Sequence, residues 1–388
     1  MKKLFVCAAV CLVSLAAMTG CGSRPRHADR VGRSFVARWE NPDSIHWRGQ
    51  RNHFSWQAGY IMYAMEKMWR FTGDPVYFDY IKRYVDQQVD SVGNIPDFRP
   101  TALDNFAPGY AILLLYEQTG EERYRRAAET IRRAFDDYPR TDCGLFWHSR
   151  SMYRQAWVDG VYMGQLFLAR YGRSVGDSDY AFGEVVRQMT LIEEKCGKEN
   201  GLLLHAWDES GRARWADSLS GRSREVWSEG LGWYAVLIAD VFDFLPEEQP
   251  GREHLLEVLR RLCAGLKASQ DPRTGMWCQV VDKCDSAGNW NETSGTGMFV
   301  YLLQKAIDDG YIPAGEYQPV VDRAYAGLVG KAVERADGAV DIVDCSSIGV
   351  QTDYRAYVSK PREVSPFTGF GSFMIGAGIV EYGSEKLR

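Results

Sequence analysis

Six stretches of this chain are apolar on nearly every face, and each of the first five is followed by a stretch with one charged face. The apolar members are HFSWQAGYIMYAMEKMW, LDNFAPGYAILLLYEQTG, QAWVDGVYMGQLFLARYG, WSEGLGWYAVLIADVFDFLP, ETSGTGMFVYLLQKAIDDGYI and FTGFGSFMIGAGIVEYG. The charged ones are PVYFDYIKRYVDQQVD, ERYRRAAETIRRAFDDY, DYAFGEVVRQMTLIEE, REHLLEVLRRLCAGLKA and EYQPVVDRAYAGLVGKAVER. A helix apolar all round is buried, whereas one with a charged face borders water. Successive apolar members begin roughly 50 to 75 residues apart, the longer intervals carrying loop insertions. The pattern predicts an inner ring of six helices wrapped by about six outer ones. That is an all-α fold, an (α/α)6 barrel, over residues 34–388. The last inner helix has little sequence after it, so the segment around Ser34–Glu40 is expected to close the outer ring. Strands are expected to be minor, with WCQVVD a short candidate.

The N-terminus reads as an address rather than as part of the barrel. Lys2 and Lys3 precede an apolar run from Leu4 to Ala17, and Met18-Thr19-Gly20-Cys21 follows. A charged start, a short apolar core and small residues before a cleavage point make a secretory signal over 1–20. Cys21 after Thr-Gly resembles a bacterial lipobox, which implies lipidation at Cys21 and a tether over 21–33. The run is too short to span as a mature helix. The expectation is an envelope protein, lipid-anchored and facing the periplasm, that touches the membrane only through that anchor. With Cys7, Cys11 and Cys21 in the leader, the other cysteines are scattered without a CxxC pair, so no zinc site is expected. Cys278 and Cys284 either pair or stay as free thiols. A net charge of −5 with no basic block argues against a nucleic-acid partner.

In such a barrel, polar residues at the inner helix starts collect at one end. Those residues are Asp104 and Asn105, Asp159, Glu229, and Glu292 with Thr293 and Ser294. The intervening loops add His148, His205, Trp207, Arg222, Arg224 and Trp227, with Trp157 and Trp233 beside the helix starts. Carboxylate pairs between aromatic walls are the usual equipment of sugar-processing sites. Pattern alone leaves Asp104 as either a cap or a site acid, and Glu292 reads better as a cap. Asp159 heads a nearly all-apolar helix, where desolvation raises a carboxyl toward the range of a proton donor.

These motifs, in this order from about Phe54 to Glu381, resemble the unsaturated uronyl hydrolases of glycoside hydrolase family 105, relatives of family 88. The resemblance implies release of a terminal 4,5-unsaturated uronic acid from lyase-generated oligosaccharides. It places the acid/base on Asp159, the second carboxylate on Asp104, the site histidine on His205, and pocket walls on Trp207, Trp227 and Trp233. No metal or organic cofactor is implied. One departure stands out: the family's WxRGNGW reads Trp227-SEGLG-Trp233 here, so Glu229 replaces an arginine and Leu231 an asparagine. The expectation is an altered substrate, with Arg222 or Arg224 compensating. Two rival readings remain at this stage, an inverting glycosidase acting on saturated sugars and a non-catalytic glycan-binding lipoprotein.

Overall fold

A computed structural model describes residues 26–45, 54–347 and 349–387. The six apolar segments form inner helices α2 (Trp56–Thr72), α4 (Gly109–Thr119), α6 (Val158–Ser174), α8 (Ser228–Asp240), α10 (Thr293–Asp308) and α13 (Phe367–Tyr382). Their outer partners are α3 (Pro75–Gln88), α5 (Glu122–Arg133), α7 (Ser178–Cys196), α9 (Arg252–Ser269) and α11 (Ala314–Val329). The sixth outer helix is α1 (His27–Arg38), and a short α12 (Tyr354–Val358) lies in the last long loop. The inner helices touch in the ring order α2, α4, α6, α8, α10, α13 and back to α2. This is the (α/α)6 barrel that the alternation predicts.

Ring closure by the N-terminal segment holds, but residues 27–33, expected to be part of a tether, are helical. Residues 27–33 belong to α1, because Ala28, Val31, Gly32 and Phe35 make a buried stripe at helical spacing. Phe35 and Trp39 stack and pack on Phe367 and Phe370 of α13. The leader and Cys21 lie outside the described residues.

The two ends of the barrel differ in their connections. Inner helices hand over to outer ones through tight turns, of which TGDP is typical. Gly73 ends α2 in the left-handed region at φ 70°, Asp74 accepts from the Val76 amide at 3.0 Å, and Pro75 opens α3. The returns from outer to inner helices are long and carry the remaining structure. Strand β1 (Gln155–Trp157) pairs antiparallel with β2 (Ala206–Asp208), and β3 (Ala332–Glu334) with β4 (Val340–Ile342). WCQVVD is not a strand: it makes only single bridges, Trp227 to Val280 and Cys278 to Asn291, before a 3-10 turn. The Cys278–Cys284 disulfide folds this loop back on itself, which removes both thiols as metal ligands. Close helix approach has one clear requirement: a Cβ on Gly376 of α13 would lie 2.4 Å from the Gly297 carbonyl of α10.

Below the short turns the inner ring carries buried charge. Asp240 accepts from the Lys67 ammonium at 2.6 Å, the Tyr301 hydroxyl at 2.6 Å and the Tyr63 hydroxyl at 2.9 Å. Arg170 pairs with Glu66 and Glu117, so α2, α4 and α6 share one cation. Breaking one partner of such a pair leaves a desolvated charge, which is costly. Lys67→Met is therefore expected to lower unfolding stability by about 3–5 kcal/mol, read from urea denaturation. Lys67→Met with Asp240→Leu should recover much of that loss.

Candidate active site

The open end is built around one backbone junction. Strand β1 runs directly into α6, so Trp157 precedes the helix and Asp159 sits in its first turn. The His148 amide donates to the Gln155 carbonyl at 2.7 Å, while its own carbonyl accepts from the Leu103 amide at 2.9 Å. Leu103 starts the one-turn 3-10 helix Leu103–Phe106, which carries Asp104. His148 is thus clamped between the segments bearing the two aspartates. Its Nδ1 lies 3.8 Å from Asp159 Oδ1 and its Nε2 3.7 Å from Asp104 Oδ1. The ring is stacked on Trp157 at 4.4 Å with an interplanar angle of 7°.

These groups line a cavity of about 260 Å³ with Trp56, Gln57, Met152, Met163, Trp233 and Gly349. Asp159 keeps 16% of its side chain exposed and Asp104 29%, both into a largely apolar surround. Burial pushes the Asp159 carboxyl up to about 6; His148 opposes the rise, and the negative Asp104 adds to it. Burial likewise raises Asp104, again opposed by His148. The Gly160 amide donates to Asp159 Oδ1 at 2.8 Å, which leaves Oδ2 as the oxygen that holds the proton. The indole of Trp233 is fixed against Tyr60 at 4.5 Å and Tyr162 at 5.0 Å.

Of the residues read from the sequence, Asp104, Asp159, His148, Trp157 and Trp233 meet in this cavity. The others do not line it. Asn105 is buried, with its Oδ1 turned to Thr101 and the Ala102 amide, both at 3.3 Å. Trp207 pairs with Ala156 in the β1–β2 ribbon and is buried away from the cavity, its Nε1 donating to the Ser220 carbonyl and Lys195 lying over its ring. Arg222 donates to the Gly197 carbonyl, and Arg224 is exposed, so neither compensates for the missing arginine inside the cavity. His205 and Trp227 form the layer behind the cavity. The His205 ring meets Trp157 and Trp227 edge-on, and burial holds it neutral, down to about 3.

Glu229 lies in the same hidden layer, fully buried, and does not face the cavity as the sequence suggested. Burial and the neighbouring Glu292 carry its carboxyl well above the usual range, so it is a neutral acid. Glu292 is the cap that its pattern indicates, accepting from the Ser294, Gly295 and Ser346 amides. Sequence reasoning missed Trp56, Gln57, Met152, Met163 and Gly349. It also missed Lys360, whose ammonium donates to the Ser347 and Gly349 carbonyls and so holds the cavity's loop wall.

Two carboxylates bracketing an imidazole between indoles, at the open end of an (α/α)6 barrel, define a carbohydrate-cleaving enzyme. The chain belongs to glycosyl hydrolase family 88, whose profile matches residues 27–381. It is similar to the unsaturated rhamnogalacturonyl hydrolase YesR of Bacillus subtilis, 27% identical over 240 residues, 60% of this chain and 66% of that one. A family 105 glycoside hydrolase of C. acetobutylicum superposes with a TM-score of 0.84 at 28% identity, covering 92% of this chain and 99% of that one. The unsaturated glucuronyl hydrolase of Bacillus sp. GL1 shares the fold, with a TM-score of 0.68 at 14% identity over 92% and 96% of the two chains.

The raised Asp159 carboxyl has a cost in stability. The folded chain holds this proton more tightly than the unfolded one, so ionisation works against folding as pH rises from about 4 through 6. Asp159→Asn is expected to be more stable than the parent at pH 7.5, by on the order of 2–3 kcal/mol, and equal to it at pH 3.5. Urea unfolding at the two pH values reads this difference.

Proposed function

We propose that this enzyme releases the terminal 4,5-unsaturated uronic acid from oligosaccharides left by a polysaccharide lyase. The observation that carries the reading is Asp159, a carboxyl held protonated to about pH 6 within a cavity that also contains Asp104 and His148. The names borne by the rhamnogalacturonyl and glucuronyl relatives support it. In the sugar, C4=C5 is part of an enol ether, so protonation falls on C4. Asp159 supplies that proton, and the positive charge that forms at C5 is shared with the ring oxygen. The Asp159 carboxylate then takes a proton from the water that adds at C5. The resulting hemiketal opens, and the linkage to the rest of the saccharide breaks as the anomeric carbon becomes an aldehyde. Apolar walls favour neutral Asp159 before the transfer, and Asp104 deepens that preference by repulsion.

His148 is the one cavity-lining side chain among the described residues that can carry positive charge. It stands 3.7 and 3.8 Å from the two carboxyls, opposes the rise of both, and offers a cation for the sugar's own carboxylate. Trp157 and Trp233 give flat faces for the ring. The leader and lipobox support a lipid-anchored envelope protein, periplasm-facing, that takes up oligosaccharides rather than polymers, as a cavity of about 260 Å³ suits a single terminal residue.

The reaction erases the substrate's ultraviolet chromophore, so absorbance follows it directly. Loss of absorbance on digests of pectin, ulvan or glycosaminoglycan by the matching lyase is expected. Intact absorbance on every digest would overturn the reading, and cleavage of saturated substrates would point to an ordinary glycosidase. Asp159→Asn should reduce turnover by roughly 10²–10⁴-fold or more. Because the proton donor is the neutral acid, turnover should fall as pH rises past about 6. Asp104→Asn removes a repulsion that raises Asp159, so the alkaline limb of its pH profile should move to lower pH.

A further inference from the structure

The direction in which the chain enters the barrel fixes which end of the molecule can face a membrane. The amides of His27 and Ala28, at the start of α1, donate to the Glu381 carboxylate at 3.0 and 3.1 Å. Glu381 lies in the last turn of α13, at the end of the barrel with the short turns. The other end of α1 confirms the orientation, since Trp39 packs on Phe367 in the first turn of α13. Tyr77, near the start of outer helix α3, donates to Asp29 at 2.7 Å, so neighbouring outer helices start on the same level. The catalytic cavity is at the opposite end, among the first turns of the inner helices.

We infer that the blind end, with its short turns, is the membrane-facing end, and that the catalytic mouth opens away from the bilayer. The inference rests on the anchor at Cys21. From Cys21 to Arg26 a fully extended chain reaches at most about 18 Å. The 16 residues of α13 separate the two ends by about 24 Å. A mouth turned to the bilayer would lift the start of α1 further from the lipid than the tether can reach.

The surface beside the tether is polar enough to lie against headgroups but is not held there by charge. A groove between α1 and the β3–β4 hairpin is lined by Arg26, Arg30, Arg33, Arg38 and Arg335. Four of these have acidic partners: Arg30 pairs with Glu334, Arg33 with Asp29, Arg38 with Asp341 and Arg335 with Asp337. With that compensation, the lipid at Cys21 supplies the affinity and α1 supplies the direction.

The test uses the full-length, lipidated protein on vesicles of phosphatidylethanolamine and phosphatidylglycerol containing an acceptor-labelled lipid. Cys143→Ser removes the one partly exposed free thiol among the described residues. A donor dye is then attached at Glu248→Cys, in the short turn between α8 and α9, or at Leu219→Cys, in the long loop before α8. Both positions are exposed and lie in the same sector of the ring, so they differ chiefly in height along its axis. Energy transfer to the lipid should be greater from position 248 than from position 219. Equal or reversed transfer overturns the orientation. A mass spectrum without lipid on Cys21, or a Cys21→Ser protein that binds the vesicles as well as the parent, overturns the anchor and with it this inference. Cys21→Ser should still destroy the chromophore of lyase products, so that outcome is read apart from the sugar chemistry.

Discussion

Polar groups in the inner ring have to be settled without bulk water, because every inner helix is covered by outer helices on one side and by its ring partners on the other. The two ends of the barrel meet this constraint in opposite ways. At the blind end each buried charge has a partner: Lys67 and two tyrosines on Asp240, Arg170 on Glu66 and Glu117, Lys305 on Asp243. At the open end Asp159 and Asp104 meet only the His148 imidazole, at 3.8 and 3.7 Å, rather than a lysine or arginine, and burial drives the carboxyls of Asp159, Asp104 and Glu229 toward their neutral form. The same desolvation therefore makes a structural clamp at one end and a proton donor at the other. The difference lies only in whether an opposite charge is supplied.

This division explains the fate of Glu229. An arginine at that place would be a cation among the open-end acids. The glutamate adds a further acid beside Glu292, and it remains wholly enclosed by becoming neutral. Its carboxyl interacts with Glu292, with Lys360 and with Asp159 itself. Any effect on sugar preference must act through such neighbours, since the side chain itself does not line the cavity.

The barrel was legible because burial on all faces leaves a direct mark on composition, and six such segments admit few arrangements. Asp159 was legible for the same reason, as a charge at the head of an apolar helix. Trp56 and Gln57 carried the same signal, an indole and an amide at the start of the first inner helix, but they bear no acid to draw the eye. Apart from Glu229, in the first turn of α8, the expected residues that do not line the cavity come from the long returns. Trp207 turns away from the site because period-two alternation in β2, in register with Ala156, decides its face. Arg222 is taken up by the Gly197 carbonyl, and Asn105 by the Thr101 hydroxyl and the Ala102 amide. Arg222 and Lys360 find their partners 25 and 11 residues away across irregular loop, where no helical or strand period predicts the pairing. The helical stripe of α1 was visible at Ala28, Val31 and Phe35, yet its surrounding arginines and aspartates made it resemble a linker.

The contact between α1 and α13 joins groups 353 and 354 residues apart. The ring therefore lacks its last inner helix, and α1 lacks its seat, until α13 is available. Loop closure over such a separation comes late, after the local helix hairpins have formed. A ribosome-bound or partly exported chain would hold a five-sixths ring with an apolar edge on α2 and α10, open to rebinding or to capture by chaperones. Completion waits for α13, so folding is gated by the arrival of that helix.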